Sequence, residues 1–287
     1  MRHLASHLLR GLPLVFALVF ILAPLAVVAL VSLVSSTSFE AFLSTRDMAA
    51  ISFPTTSSYT AVATDPLYVR AAISSVAIAL ISALLAILIA FPVAYVVSRY
   101  RDPARSILAV VILLPFWTSF LLRIYAWTVL LNGNGPLNQL AMLLGISSEP
   151  IPLLHTNAAA CVGIAYSYLP FAFLPIFASL IAIDRRYLEA AADLGSGHFA
   201  CLVRIVVPLS FRGIISGFFL VFIPALGEFV VPELLGGPST LTFGRALWTE
   251  FFANHDWPRA SALGMSLLLL VALGVLAANA AKGAGHR

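Results

Sequence analysis

Residues Asp184 to Pro208 read DRRYLEAAADLGSGHFACLVRIVVP, the longest polar interruption rich in charge of both signs in a chain that is otherwise mostly apolar. Arg185 and Arg186 open it. From Tyr187 to Leu194 the residues favour a helix, with Leu188, Ala191 and Leu194 recurring every three positions along one side and Glu189 and Asp193 off it. Gly195 and Gly197 are expected to end that helix, because glycine tolerates the left-handed turn of a helix stop. A second apolar run follows, and Pro208 closes it. A helix–glycine–helix elbow between two membrane spans is a device for touching something outside the bilayer. On pattern alone, an amphipathic loop helix resting on the lipid surface fits the same residues.

Working outward, the rest of the chain supplies the spans. Apolar residues make up 61% of it and charged residues 10%. A soluble domain of this length would carry about 25% charged residues. The expected class is therefore an all-α integral membrane protein, read as a single transmembrane domain over 1–287 with six transmembrane helices. Basic Arg2, His3, His7 and Arg10 precede an apolar run at 12–34, which is too long for a signal-peptide core and long enough to cross the bilayer. The stretch 35–70, rich in Ser and Thr and broken by Pro54 and Pro66, reads as an external loop. Further spans are expected at about 71–97, 106–131, 158–183, 213–235 and 260–281, with the polar loop at 184–212 between the fourth and fifth. Pro92 should kink the second. After the Asn132–Pro136 turn, Leu137, Leu140, Ala141 and Leu144 suit a short interfacial helix stopped by Gly145. Thr156 or Asn157 can cap the fourth span. Trp248, Phe251, Phe252 and Trp257 suit an interfacial aromatic belt.

Placing the N-terminus inside puts Arg2, Arg10, Arg99, Arg101, Arg105, Arg185, Arg186, Arg204, Arg212, Lys282 and Arg287 on the inner side. Only Arg46, Arg70, Arg245 and Arg259 are then outside, and Arg123 falls within a span. The positive-inside rule thus makes both termini and the elbow cytoplasmic in a multi-pass protein. The two cysteines, Cys161 and Cys201, match no metal pattern, and this topology argues against a disulfide. Lys282 is the only lysine and Gly283 follows it, so the Gly-Lys-[Ser/Thr] of a phosphate-binding loop is missing. The chain is not expected to hydrolyse ATP, to hold a cofactor or metal, or to be an enzyme. His255-Asp256 is the only adjacent pair suggesting catalysis, and it has no supporting ligands. Nothing in the sequence points to nucleic acid.

Arg123 and Glu228 are the ionisable residues farthest from any expected span end, and each is costly in lipid. Counted along straight helices at about 1.5 Å per residue, they lie at similar depth, roughly 25 and 22 Å from the inner end. Two readings stay open. They form a salt bridge, or Glu228 faces a translocation path and attracts an ammonium group. Glu233 either extends an acidic approach or is a solvated residue at a span end. Trp117 and Tyr125, eight apart on one face of the expected third span, offer aromatic surfaces to a cation or simply pack. Pro224 and Pro232 bracket Gly227-Glu228 and should loosen the helix there.

The motif Glu189-Ala190-Ala191, three residues, Gly195, nine residues, Ile205-x-x-Pro208 resembles the EAA loop of the membrane subunits of ABC importers, with Val207 where that family usually has leucine. Leu114-Pro115-Phe116-Trp117-Thr118-Ser119, Arg123-Ile124-Tyr125-Ala126-Trp127 and the run Pro224–Gly237 are similar to the polyamine branch, and nearest its putrescine permeases. Asp65-Pro66-Leu67-Tyr68 and Leu154-His155-Thr156-Asn157 extend the likeness over nearly all of the chain after the first span. The resemblance implies the importer permease fold in a bacterial inner membrane, with 184–212 as a cytoplasmic coupling loop. It implies as partners a dimer of ATP-binding subunits that bind and hydrolyse the ATP, a second homologous permease subunit and a periplasmic substrate-binding protein. Importers of thiamine or ferric iron use similar scaffolds, so the substrate stays open. An ion-coupled secondary transporter is the other class, but it would leave the elbow unexplained.

Overall fold

The computed structural model describes residues 16, 18–46, 52–238 and 240–284, the side chains of 275 and 277–284 excepted. The start of the first expected span, with its flanking Arg2, His3, His7 and Arg10, lies outside the described residues, as does Arg287. The described elements are helical, with no strand among them. In order they are a π turn Leu18–Leu22 leading into α1 (Ala23–Ser32), α2 (Ser36–Thr45), α3 (Ser57–Thr64), α4 (Pro66–Arg99), and α5 (Ala104–Leu113) with a 3-10 turn Leu114–Trp117. Then come α6 (Phe120–Leu131), α7 (Pro136–Leu143), α8 (Asn157–Ser167), α9 (Leu169–Ile181), α10 (Arg186–Asp193) and α11 (His198–Cys201) with a π turn Leu202–Val206. The chain finishes with α12 (Val207–Leu226), a π turn Pro232–Gly236, α13 (Phe243–Trp248) with a π turn Thr249–Ala253, and α14 (Trp257–Ala284).

Three stretches are long and apolar enough to cross a bilayer unbroken: Pro66–Arg99, His198–Leu226 and Trp257–Gly274. Three more qualify only as bent pairs, at 101° between Leu18–Ser32 and Ser36–Thr45, 84° between Ala104–Trp117 and Phe120–Leu143, and 50° between Asn157–Ser167 and Leu169–Ile181. Six spans are reached when each bent pair counts as one. The fold is an all-α membrane fold, but the spans expected at 106–131 and 158–183 are broken inside, and the first bent pair turns at the end of the span expected at 12–34.

The breaks have local causes. The expected span at 106–131 stops at extended Thr118 and non-helical Ser119, after a 3-10 turn containing Pro115. The span at 158–183 bends at Tyr168, where Leu169-Pro170 restarts the helix; proline lacks the donor that a continuing helix needs. The span expected at 213–235 begins earlier, at His198, runs through α12 and ends at Leu226, with Gly227 closing it. The loop expected at 35–70 contains α2 and α3. Ser35 caps α2 by accepting from the Ser38 amide at 3.2 Å. Thr45, Thr60 and Thr64 donate their hydroxyls to backbone carbonyls of their own helices at 2.7–2.8 Å, so these polar groups are satisfied locally. Thr156 caps α8 as expected, accepting from the Ala159 amide at 3.1 Å.

The chain divides into two compact units. In the first, comprising the described residues up to Ala71 and from Ala246 onward, α1, α2 and α3 pack on α14. Ser36 Oγ donates to Asp256 at 2.7 Å, and Tyr68 Oη donates to buried Glu250 at 2.7 Å.

In the second unit, Ala72–Arg245, a stripe of Ala83, Ala86, Ala90 and Ala94 on α4 meets Ala172, Phe173, Ile176 and Leu180 of α9 and Val221 of α12. α9 and α12 approach most closely at Gly213 and Gly217. A Cβ on Gly213 would lie 2.5 Å from the Pro175 carbonyl oxygen, and one on Gly217 3.0 Å from that of Ala172. Lipid offers little hydrophobic gain for helix association, so contact at this range relies on van der Waals packing that small residues permit.

Candidate functional site

The break after α12 is built by its flanking residues. The Gly227 amide turns back to the Pro224 carbonyl at 3.2 Å and the Glu228 amide to that of Ala225 at 3.3 Å. Glu228 and Phe229 are unwound, and helical winding resumes at Val230. Pro224 and Pro232 thus bracket a real interruption. Glu228 is buried, at 8% exposure, and lies outside any helix. Its Oε1 accepts from the amides of Val230 at 3.0 Å and Val231 at 3.4 Å, so the carboxylate caps the helical turn that follows it. Its Oε2 accepts from the phenolic hydroxyl of Tyr168 at 2.5 Å. Thr242 Oγ1 donates to the Glu228 carbonyl at 3.4 Å. Gly244 closes the far side. A Cβ there would stand 2.3 Å from the Gly227 carbonyl oxygen, so only glycine fits.

Arg123 does not pair with Glu228. Its guanidinium lies 5.1 Å from the Phe116 ring centre and 6.0 Å from that of Phe120, and Nε and Nη1 are buried without a hydrogen-bond partner. Tyr166 extends this aromatic group, with ring centres 5.4 Å from Phe116 and 5.6 Å from Trp127. Aromatic faces supply the electrostatic stabilisation that a carboxylate would otherwise give. The 84° bend between Trp117 and Phe120 removes the basis for matching depths along a straight span. It also separates Trp117, 85% exposed in the 3-10 turn, from Tyr125, 54% exposed on α6, so these rings share no helix face.

Glu233 is neither free nor merely solvated. Its Oε2 pairs with Arg245 Nε at 2.6 Å, while Arg245 Nη1 donates to the carbonyls of Gly237 at 2.7 Å and Thr240 at 3.2 Å. Tyr168 was not legible as a site residue. The signal that could have found it is Leu169-Pro170, which marks a bend inside an apolar run.

The elbow folds as a helix, a glycine turn and a second helix. Gly195 adopts φ +76° with nothing within 4 Å of where a Cβ would sit. Gly197 is extended, φ −65° and ψ 157°, and begins α11 rather than ending α10. The expected single apolar side divides. Ala191 is buried and Leu188 half-buried against the core, whereas Leu194, just past the helix end, is 88% exposed. Glu189, Ala190 and Tyr187 face outward, joined by Phe199 at 79% exposure. Ile205 lies half-buried in the π turn before α12. Pro208 follows the π turn Leu202–Val206 inside the unbroken helical stretch His198–Leu226. Beside the elbow, Asp102 accepts from Ser106 Oγ at 2.8 Å and pairs with Arg105, and both hold its carboxyl below the usual range. Among the described residues no cluster of His, Cys, Asp and Glu could hold a metal ion.

Residues 83–284 match the family described as the binding-protein-dependent transport system inner membrane component. The chain belongs to this family of membrane permeases. It is 39% identical over 209 residues to the spermidine/putrescine transport system permease protein PotB of Haemophilus influenzae, covering 73% of each chain. To PotB of Escherichia coli it is 35% identical over 212 residues, covering 74% of this chain and 77% of the relative. Among solved structures, a subunit of a bacterial alginate ABC transporter in complex with an alginate pentasaccharide-bound periplasmic protein aligns with TM-score 0.69. It covers 97% of this chain and 93% of its own, at 15% identity. The MetNI methionine ABC transporter aligns with TM-score 0.56, covering 76% and 95%, also at 15% identity. At that identity the likeness concerns the fold alone.

Proposed function

We propose that this chain is a membrane-spanning subunit of an ATP-driven importer of polyamines, putrescine or spermidine. The observation that carries the substrate is the 39% identity to a spermidine/putrescine permease across most of both chains. The chain performs no covalent chemistry and needs no cofactor; ATP is bound and hydrolysed by a pair of partner subunits. A second, similar permease subunit completes the pore, and a periplasmic binding protein delivers the solute. The excess of arginines around the elbow supports a cytoplasmic position for it and for both termini.

The elbow couples the two halves of the cycle. In this reading Glu189, Ala190 and Gly195, with exposed Leu194 and Phe199, meet the ATPase, while Ala191 and Ile205 hold the elbow to its own unit and Pro208 lies in the span that it moves. Burial of Ala191 supports this division, since a residue packed inward is not available to a partner. The path for substrate runs past the break at Glu228, the place where a membrane span unwinds and presents a carboxylate. Trp117 and Tyr125 offer exposed aromatic faces to an ammonium, Arg123 and its aromatic group wall the path, and Glu233 is held by Arg245 at its margin.

The test is uptake by the complete complex in proteoliposomes. Labelled putrescine and spermidine should enter only with lumenal ATP and binding protein, and should do so without a sodium or proton gradient. Uptake of thiamine or ferric iron in their place would transfer the scaffold to another solute. Uptake driven by an ion gradient without ATP would remove the importer reading altogether.

A further inference from the structure

Two interruptions of membrane helices meet through one side-chain contact. Tyr168 is the residue at which α8 gives way to α9, across a 50° bend. Glu228 is the first unwound residue beyond Gly227 at the end of α12. The hydroxyl of the first donates to the carboxylate of the second at 2.5 Å, from positions 60 residues apart in sequence.

The two carboxylate oxygens are held differently. Oε1 is fixed by two backbone amides of its own chain segment, donors that cannot leave without unwinding the turn at Val230. Oε2 has one donor, a neutral phenol on a half-buried ring at a bend. A charged donor makes a shorter and stronger bond to a carboxylate than a neutral one. An ammonium reaching this place would therefore compete for Oε2 and leave Oε1 undisturbed. The aromatic partner of the Tyr168 ring is Phe171, at 6.0 Å, and that contact does not need the hydroxyl.

We propose that the Tyr168 hydroxyl is the occupant that a substrate ammonium displaces from Glu228, so that Tyr168 sets how readily the break accepts a cation and when it closes behind one. This rests on the polyamine reading above. Tyr168 is a gating and specificity-determining residue in this account, and the exchange of phenol for ammonium links the bend of one span to the break of another.

The experiment compares the wild-type complex with Tyr168→Phe, using Phe171→Leu as the packing control. Two quantities are read: kinetics of putrescine uptake, and the rate at which a hydrophobic carbodiimide labels Glu228 in the absence of substrate. Tyr168→Phe should lower KM for putrescine on the order of five-fold, the equivalent of one lost competing hydrogen bond. It should also slow turnover, because a bound ammonium no longer has a competitor, and label Glu228 several-fold faster. Phe171→Leu should leave both KM and labelling unchanged. An unchanged KM in Tyr168→Phe, or an unchanged labelling rate, overturns the proposal. So does failure of that variant to assemble, because a hydroxyl that holds the fold together cannot be yielded in every cycle. If the wild-type complex imports no polyamine, the substrate reading has failed separately, and the labelling comparison alone decides whether the phenol guards the carboxylate.

Discussion

Arg185 donates from Nη2 to the backbone carbonyl of Arg99 at 2.7 Å. Arg185 leads into α10 of the elbow, and Arg99 is the last residue of α4, the longest helix described. Carbonyls at a helix end lack intrahelical partners. The guanidinium takes one of them and so fastens the elbow to the end of a span.

That contact sets the first prediction. An exposed hydrogen bond of this kind is worth about 0.5–1.5 kcal/mol, too little to decide folding. Arg185→Ala should insert and assemble normally, while substrate moved per ATP hydrolysed falls two- to ten-fold by the same arithmetic. The measurement is the coupling ratio in proteoliposomes. A ratio equal to wild type would show that the elbow transmits motion without this tie.

Gly195 turns the elbow at φ +76° in open space, so the demand there is conformational and not steric. Gly195→Val, β-branched, should cost roughly 1–2 kcal/mol locally and misdirect α11, lowering binding-protein-stimulated ATPase activity. Gly195→Asn should retain most of it, because asparagine visits that region readily. Equal activity in Val and Asn variants would contradict a role for the turn.

The inward and outward faces of α10 should separate in the same assay. Ala191→Trp forces a large ring into a buried site and should lower thermal stability, by about 1–3 kcal/mol if the chain adjusts. Leu194→Asp should leave the melting temperature alone and reduce retention of the ATPase subunit on purification. Unchanged retention would place Leu194 against lipid headgroups instead.

Glu228→Gln keeps an acceptor for the Val230 and Val231 amides and should therefore assemble. Glu228→Leu leaves those amides unpaired, at about 1–3 kcal/mol each, and should assemble poorly. Arg123 has no ion pair with Glu228, so Arg123→Met and Glu228→Gln should combine additively on uptake, within about 0.5 kcal/mol. A larger coupling would revive a charge pair at another stage of the cycle.

The apolar runs were legible because a bilayer crossing requires about twenty apolar residues, whatever the rest of the chain does. Caps and stops at Thr156, Gly145 and Gly195 were legible because their chemistry is local. The break at Glu228 was legible too, from Pro224 and Pro232, but those at Thr118 and Tyr168 were not. Pro92 and Pro175 remain inside continuous helices, whereas Pro115, Pro170 and Pro232 flank interruptions. Proline removes the same donor in each case, and neighbouring helices decide whether the chain stays wound. Glu228 could be picked out as a charge among apolar residues. Its partner could not, because Tyr168 lies in a different span and looks like any aromatic in a membrane. The matched depth of Arg123 and Glu228 was an artefact of counting along rods that the fold bends.

The end of α12 at Leu226 has an electrostatic consequence of its own. Over its 20 residues the peptide dipoles point the same way and leave roughly half a negative charge at the last turn. That pole lies in the main chain, two residues before the unwound Glu228, and no side-chain substitution removes it. A cation at the break would meet two negative fields, one titratable and one permanent. Glu228→Gln should therefore weaken polyamine uptake without abolishing it, and the residual transport should still prefer cations over neutral diols of the same length.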